Sequence, residues 1–164
     1  MLLYPNKYVE KVEDITIETL QKNKLKALVL DMDNTLIDCK YNLSESVIEW
    51  AKQLKGQGVK LYILSNTMKE HKVKIIAEKL NIPYKNFAKK PFKSGFKKVQ
   101  KDLNLEPEQM AMVGDQIFTD IIGGNRSKFF TILVNPIDKK DFWYTAWKRP
   151  IEDKIKNKLK KEID

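Results

Sequence analysis

The sequence predicts an α/β protein in which a doubly wound parallel sheet lies between helices on both faces, three layers in all. Short apolar runs alternate along the chain with segments whose apolar residues recur every three or four positions, the patterns of buried strands and amphipathic helices. Strands separated by such helices are parallel and joined by right-handed crossovers. With 164 residues and no repeat or linker, the chain is expected to form a single domain over residues 1–164.

The first predicted strand is the apolar run ALVLD at residues 27–31, which leads into the turn-prone DMDN. A helix is predicted after it, because Ser44 is a good N-cap and Gly56 and Gly58 indicate a helix end. One face of this helix carries Val47, Ala51 and Leu54.

The second predicted strand is LYIL at residues 61–64, which ends at Ser65 and Asn66. The helix after it has an apolar face made of Val73, Ile76, Ala77 and Leu80. We expect Pro83 to stop this helix, since proline cannot continue one. A short strand is predicted over residues 84–88.

The last part of the predicted sheet follows one more helix. That helix is indicated by Phe92, Phe96, Val99 and Leu103. The runs MAMV and TILV then predict two strands, with a short helix around residues 119–122 between them. The spacing between successive strands leaves space for about one helix each, so no inserted cap domain is expected.

Polar residues directly follow the predicted strands. In a doubly wound sheet, ligands bind beyond the carboxyl ends of the strands, where the strand order reverses. The residues expected to converge there are Asp31, Asp33, Ser65, Asn66, Lys90, Asp115 and Asp120.

The acids of DMDNTL and GDQIFTD are candidate metal ligands. Asp31 and Asp33 follow a buried strand, and carboxylates so close repel one another unless a cation or proton is present. Taken alone, this pair also fits a turn that satisfies its own backbone. An EF-hand loop is excluded, because its sixth and twelfth positions are Leu36 and Asn42. Together with the acids of GDQIFTD, the pair makes an oxygen-rich site suited to Mg²⁺.

Donors for a phosphate group are also available. Phosphoryl transfer requires charge neutralisation and positioning, which Lys90, the hydroxyl of Ser65 and the backbone at Asn66 are placed to supply. Each has a simpler explanation when taken alone, since Lys90 fits a surface lysine and Ser65 a helix cap.

The segments DMDNTL, LSN, Lys90-Pro91 and GDQIFTD occur in this order at predicted strand ends, and in this the chain resembles the phosphatases of the haloacid dehalogenase (HAD) superfamily. The resemblance implies a HAD-like Rossmannoid fold. It also implies that Asp31 attacks phosphorus to form an aspartyl phosphate, while Asp33 acts as acid and base. Mg²⁺ would be bound by Asp31, the carbonyl of Asp33 and Asp115, and the transferred phosphate by Ser65, Asn66 and Lys90. Asp120 would orient Lys90 or a metal-bound water.

A narrower resemblance covers nearly the whole chain. MLLYPNKYVEKVEDI, GDQIFTDIIGGNR and WKRPIE are similar to the YqeG-like branch, the bacterial relatives of mitochondrial phosphatidylglycerophosphate phosphatase. This implies phosphatidylglycerophosphate as the substrate. Two alternatives stay open: a phosphatase for a soluble phosphoester such as a sugar phosphate, nucleotide or phosphoprotein, and a binding protein without catalysis.

Three further features bear on substrate and partners. Arg126 and Arg149 are candidates for the substrate's second phosphate, because a guanidinium binds phosphate in a forked geometry; a salt bridge is the alternative for each. The aromatic segment FWYTAW at residues 142–147, with lysines around it, fits contact with an anionic membrane or packing in the core. Leu2, Leu3 and Tyr4 are candidates to join it.

The composition sets the expected location and partners. A formal net charge of +9 favours anionic partners, but no nucleic-acid motif is present, so nucleic acid is not expected. No apolar run has the length of a membrane span or signal peptide, and Cys39 is the only cysteine. The protein is therefore expected to be cytoplasmic, with peripheral contact to the inner face of the membrane. The oligomeric state is not predicted.

Overall fold

The computed structural model describes residues 2–138, 153–154 and 157–158. Within these residues, one sheet of parallel strands has the order β1-β6-β5-β2-β3-β4. The strands are β1 (Lys7–Val9), β2 (Ala27–Leu30), β3 (Lys60–Leu64), β4 (Tyr84–Lys85), β5 (Met110–Gly114) and β6 (Phe130–Val134).

Helices connect these strands. They are α1 (Ile17–Lys22), α2 (Glu45–Gly56), α3 (Glu70–Leu80), α4 (Lys93–Leu103) and α5 (Ile122–Arg126). Short 3-10 turns span Val12–Asp14 and Pro107–Gln109, and one π-helical turn, Ile117–Ile121, leads into α5.

The strand residues alternate between two apolar layers, as expected for a sheet buried on both faces. Leu28 and Leu30 belong to the core shared with α1, α2 and α3, whereas Ala27 and Val29 belong to the core shared with α4. All four residues of β2 are fully buried. The predicted three-layer α/β fold is therefore confirmed.

The helix boundaries have local causes, and one prediction about them is wrong. The hydroxyl of Ser44 accepts a bond from the backbone of Val47 at 3.3 Å and so caps α2. Asn81, at φ +54°, ends α3 in the left-handed conformation before Pro83 is reached. Phe92 does not share the buried face of α4: it is the N-cap residue and 63% exposed.

The N-terminal elements were not predicted. β1 has only three residues, too short for an alternating pattern, and it forms an edge of the sheet beside β6. The strand predicted over residues 84–88 ends at Lys85. The short helix predicted around residues 119–122 proves to be the π-helical turn and α5.

The strand order reverses between β2 and β5. From β2 the chain proceeds to β3 and β4 on one side, then crosses to β5 on the other. The backbone N–H of Asp31 donates to the carbonyl of Val113 at 2.9 Å, so the tips of these two strands are adjacent. Between β2 and β6, all of which the structure describes, the connections around this edge consist of loops and single helices, with no inserted cap domain. None of the helices in the described part of the chain has the length and hydropathy of a membrane span.

Candidate active site

Three carboxylates meet at the reversal of strand order. One oxygen from each of Asp31, Asp115 and Asp120 lies within 4.8 Å of the others. Asp31 follows β2, Asp115 follows β5, and Asp120 is carried by the π-helical turn. The predicted convergence of the two acidic segments is therefore observed.

Lys90 is buried against this cluster. Its Nζ donates to Oδ1 of Asp31 at 2.9 Å and to Oδ1 of Asp120 at 2.7 Å. Burial alone would lower the pKa of Lys90, but the charges of Asp120 and Asp31 outweigh it and raise the pKa, so the ammonium stays charged. The lysine is thus a fixed cation, and the explanation of Lys90 as a surface residue is excluded.

The side chain of Asn66 binds the backbone of Lys90. Its Oδ1 accepts from the N–H of Lys90 at 2.7 Å, and its Nδ2 donates to the carbonyl at 3.0 Å. The loop before Lys90 contains Phe87 and Lys89 in the left-handed region, at φ +48° and +58°. The amide of Asn66 therefore positions Lys90, a role that the sequence did not indicate, and any contact of Asn66 with phosphate falls to its backbone.

Asp120 lies in the interior. Its Oδ2 accepts from the backbone N–H of Gln116 at 3.2 Å, while its Oδ1 accepts from Lys90. Burial and the charge of Asp31 raise its pKa to about 7, against the opposing effect of Lys90. These contacts fit the predicted role of Asp120 as a support for Lys90.

Thr35 was missed as a site residue. Its hydroxyl donates to Oδ1 of Asp115 at 3.4 Å, and both side chains are buried. The only signal in the sequence is its place in DMDNTL, four residues after Asp31. The threonine links the loop after β2 to the acid after β5.

Asp33 stands at the outer edge of the cluster and is exposed. Partial desolvation and the charge of Asp31 raise its pKa, with Lys90 and Lys69 opposing the shift. Its side chain is outside the group of three converging carboxylates. A carboxyl that holds its proton to higher pH and faces solvent is suited to proton transfer.

Ser65 is buried directly after β3. Its Oγ accepts from the backbone N–H of Thr67 at 3.2 Å, which uses an oxygen lone pair and leaves the hydroxyl proton available for donation. The N-cap position of α3 is occupied by Lys69 and not by Ser65, so the helix-cap explanation of Ser65 is wrong.

The remaining predicted features lie apart from the acidic cluster or outside the described residues. Arg126 ends α5 and lines a separate cavity of about 150 Å³. The lysines around that cavity are Lys93, Lys97 and Lys128, and no member of the acidic cluster lines it. Arg149 and the aromatic segment at 142–147 lie outside the described residues. Leu2 is 50% exposed, and Nζ of Lys158 lies 5.1 Å from the ring centroid of Tyr4.

The donor set fits a hard divalent cation. Asp31, Asp115 and Asp120 offer only carboxylate oxygens, the ligands that Mg²⁺ prefers. Since Asp120 is already bonded to Lys90 and Gln116, Asp31 and Asp115 are the side chains best placed to bind the ion directly.

Sequence comparisons identify relatives over most of the chain. The haloacid dehalogenase-like hydrolase family matches residues 39–128. The protein named "Probable phosphatase YqeG" of Bacillus subtilis is 35% identical over 159 residues, 96% of this chain and 92% of that protein. Phosphatidylglycerophosphate phosphatase 1 of Arabidopsis thaliana, chloroplastic/mitochondrial, is 29% identical over 148 residues, 84% of this chain and 42% of that protein.

Solved structures share the fold. A protein of Listeria monocytogenes serotype 4b superposes with a TM-score of 0.58 at 21% identity, covering 72% of this chain and 85% of that one. A HAD-like family hydrolase of Porphyromonas gingivalis gives a TM-score of 0.58 at 14% identity, covering 78% of this chain and 98% of that one. With the family match over more than half of its length and a close relative along nearly all of it, the chain belongs to the haloacid dehalogenase-like hydrolases.

Proposed function

We propose that this protein is a Mg²⁺-dependent phosphatase that removes a phosphate from phosphatidylglycerophosphate through an aspartyl phosphate on Asp31. The observation that carries the proposal is the buried Lys90, whose ammonium bridges Asp31 and Asp120 beside Asp115. A fixed cation next to an accessible carboxylate is the arrangement that phosphoryl transfer requires.

Asp31 is the best-placed nucleophile of the cluster. Its side chain is 13% exposed, whereas that of Asp120 is 1% exposed. Lys90 binds one oxygen of Asp31 and fixes the direction of the carboxylate, and the other oxygen would attack phosphorus. In the first step the bond from Asp31 to phosphorus forms as the bond to the leaving oxygen breaks.

Asp33 would transfer the protons of both steps. Its raised pKa favours the protonated acid that gives its proton to the leaving oxygen. Water then attacks phosphorus, gives a proton back to Asp33 and releases phosphate from Asp31. This exchange restores both carboxyl groups to their starting states.

The phosphate oxygens would be stabilised by donors on neighbouring loops. Lys90 and the hydroxyl of Ser65 lie at the same edge of the sheet as Asp31, and both are buried. When bound by Asp31, Asp115 and the carbonyl of Asp33, Mg²⁺ would supply the positive charge that lets an anionic nucleophile approach an anionic phosphate.

Three observations support a lipid-linked substrate. The similarity to the Arabidopsis enzyme extends over 84% of this chain. Within residues 2–138, no inserted domain covers the site, which suits a head group that remains in a bilayer. The net charge of +9 favours approach to such an anionic surface.

The test is phosphate release by the purified protein with Mg²⁺. We expect hydrolysis of phosphatidylglycerophosphate in detergent micelles to be much faster than that of glycerol 3-phosphate, sugar phosphates and nucleotides. Asp31→Asn should abolish release from every substrate and is the control for contaminating activity. Preference for a soluble ester would overturn the lipid assignment, and unchanged activity of Asp31→Asn would overturn the mechanism.

A further inference from the structure

Large apolar side chains are exposed around the candidate active site. In the described part of the chain, those that are most exposed are Leu2, Met68, Ile75, Phe87, Phe92 and Ile137. Four of them, Met68, Phe87, Phe92 and Ile137, follow the carboxyl ends of β3, β4 and β6 and are 45–76% exposed. We call these four residues the apolar rim. It stands at the edge of the sheet where Asp31 and Asp115 lie.

Hydrogen bonds join the loops of the apolar rim to one another and to the site. The backbone N–H of Phe87 donates to the carbonyl of Thr67 at 2.8 Å, next to Met68. The backbone N–H of Ile137 donates to the carbonyl of Asn34 at 3.0 Å, next to Asp33. The rim is therefore continuous with the loops that carry the catalytic groups.

Local folding does not explain two of the rim residues. Phe87 is at φ +48°, a conformation that a bulky side chain rarely adopts. Phe92 is the N-cap of α4 and makes no side-chain capping bond, although serine, threonine, aspartate and asparagine are strongly preferred there. Both positions carry an exposed aromatic ring where another residue would suit the backbone better, so local backbone conformation does not account for the rings.

Positive charge accompanies the rim. Residues 86–93 contain no acid, and two of their lysines, Lys89 and Lys93, are exposed. Nζ of Lys89 lies 4.8 Å from the ring centroid of Phe87, so a cation stands directly against apolar surface. Lys69, next to Met68, is exposed and close enough to Asp33 to affect its pKa. Exposed apolar side chains mixed with lysines are suited to the interface of an anionic bilayer.

We propose that the apolar rim inserts into the head-group region of an anionic bilayer and presents the active site to the membrane surface. Lys69, Lys89 and Lys93 would contact the lipid phosphates. The inference rests on the proposed lipid substrate, and it favours a bilayer over a protein partner because a lipid head group can reach Asp31 only if this edge faces the membrane.

The experiment measures sedimentation of the full chain with vesicles of phosphatidylcholine, with and without phosphatidylglycerol. Met68→Ser, Phe87→Asn and Phe92→Ser are combined in one variant, with asparagine at 87 because it tolerates positive φ. Ile75→Ser is the matched control, since Ile75 is 48% exposed but lies within α3 and not in the loops that carry the rim.

We expect the affinity of the triple variant for vesicles that contain phosphatidylglycerol to fall at least about tenfold. Partial burial of a single side chain of this size in the bilayer already contributes a factor of about ten. Lys89→Gln and Lys93→Gln should each lower it roughly fivefold, and binding should weaken with salt. Hydrolysis of para-nitrophenyl phosphate should be unchanged in the triple variant, which shows that it folds. Ile75→Ser should bind as the original protein does.

Full vesicle binding by the triple variant, or an equal loss with Ile75→Ser, would overturn the proposal. A dimer that the triple variant disrupts without loss of vesicle binding would also overturn it and make the rim a protein interface. Failure of the substrate assignment is distinguished separately, because it would show as absent hydrolysis of phosphatidylglycerophosphate in micelles, where docking to a bilayer is not required.

Discussion

Gly114 and the carboxylate of Asp120 share one small space. A Cβ on Gly114 would lie 2.1 Å from Oδ2 of Asp120 and 2.3 Å from its Cγ. The carboxylate of Asp120 cannot easily move aside, since it is held by Lys90 and by the backbone of Gln116. Residue 114 must therefore be a glycine because the carboxylate of Asp120 occupies the space that a side chain there would need. The backbone angles of Gly114 do not by themselves require glycine.

Gly114→Ala should displace Asp120 and with it Lys90. We expect phosphatase activity to fall about 100-fold, the effect of a misplacement near 1 Å, and stability to fall by about 1–3 kcal/mol through overpacking. Gly56→Ala is the control, because a Cβ there meets nothing within 4 Å and should leave stability and activity intact. Urea unfolding and phosphate release measure the two effects, and an active, stable Gly114→Ala would contradict this account.

Removing Lys90 should unbalance the buried charges. Lys90→Gln leaves the carboxylates of Asp31 and Asp120 without their cation, and breaking a buried pair in this way costs about 3–5 kcal/mol. We expect Mg²⁺ to recover part of the lost stability, since an ion bound by the carboxylates supplies positive charge. Thermal unfolding with Mg²⁺ or with EDTA tests this. The neighbouring Lys89→Gln should unfold as the original protein does, because Lys89 is exposed; no difference between the two variants would contradict the prediction.

The sequence predicted the central part of the fold because its signals are local. Apolar runs marked β2, β3, β5 and β6, and the rule for ligand sites in doubly wound sheets then brought Asp31 and Asp115 together. The short edge strand β1 was not predicted, because three residues are too few to show an alternating pattern of apolar and polar side chains. The site residues could be predicted because they directly follow strands, and the carboxyl ends of parallel strands lie at the same edge of the sheet.

Side-chain partners were beyond the same reasoning. Nothing in the letters LSN shows that the amide of Asn66 binds the backbone of Lys90, 24 residues away. Thr35 reaches Asp115 across 80 positions in the same way. Phe92 matched a helical spacing but lies just outside the helix, because the pattern does not report where the first turn begins. Such contacts can be identified only once the path of the folded backbone is known.

The bond between Tyr62 and Asp102 should make stability depend on acid pH. The buried Tyr62 hydroxyl donates to Oδ2 of Asp102 at 2.6 Å. This bond is the main cause that lowers the pKa of Asp102 below its usual value of 3.8, and the hydrogen bond from Lys98 is the second. A carboxyl with a lowered pKa in the folded state stabilises the fold above its unfolded pKa, and that contribution is lost as the pH falls through the folded value.

Tyr62→Phe should therefore lower stability by about 1 kcal/mol at pH 7 and by less once the pH falls below the lowered folded-state pKa of Asp102, where Asp102 is protonated in both states. Urea unfolding at pH 7 and at the lowest pH where the fold persists measures the difference. Asp102→Asn is the control: in that background, the effect of Tyr62→Phe should not change with pH. A Tyr62→Phe effect that stays the same in the original protein through the acid titration of Asp102 would rule out the charge of Asp102 as its source.

Phe92→Ser should separate stability from membrane binding. Serine at the N-cap of α4 accepts a bond from a backbone N–H of the first turn, which phenylalanine cannot do, so unfolding should require about 0.5–1 kcal/mol more. Removal of a ring that is 63% exposed costs little packing. The same variant should bind anionic vesicles more weakly, because the lost ring belongs to the apolar rim.

Phe92→Ala distinguishes the effect of the lost ring from that of the added cap, since it removes the ring without adding a cap. It should lose vesicle binding to the same extent and gain no stability. If Phe92→Ser were less stable than the original protein, the ring would have a packing role, and its exposure would no longer indicate a function.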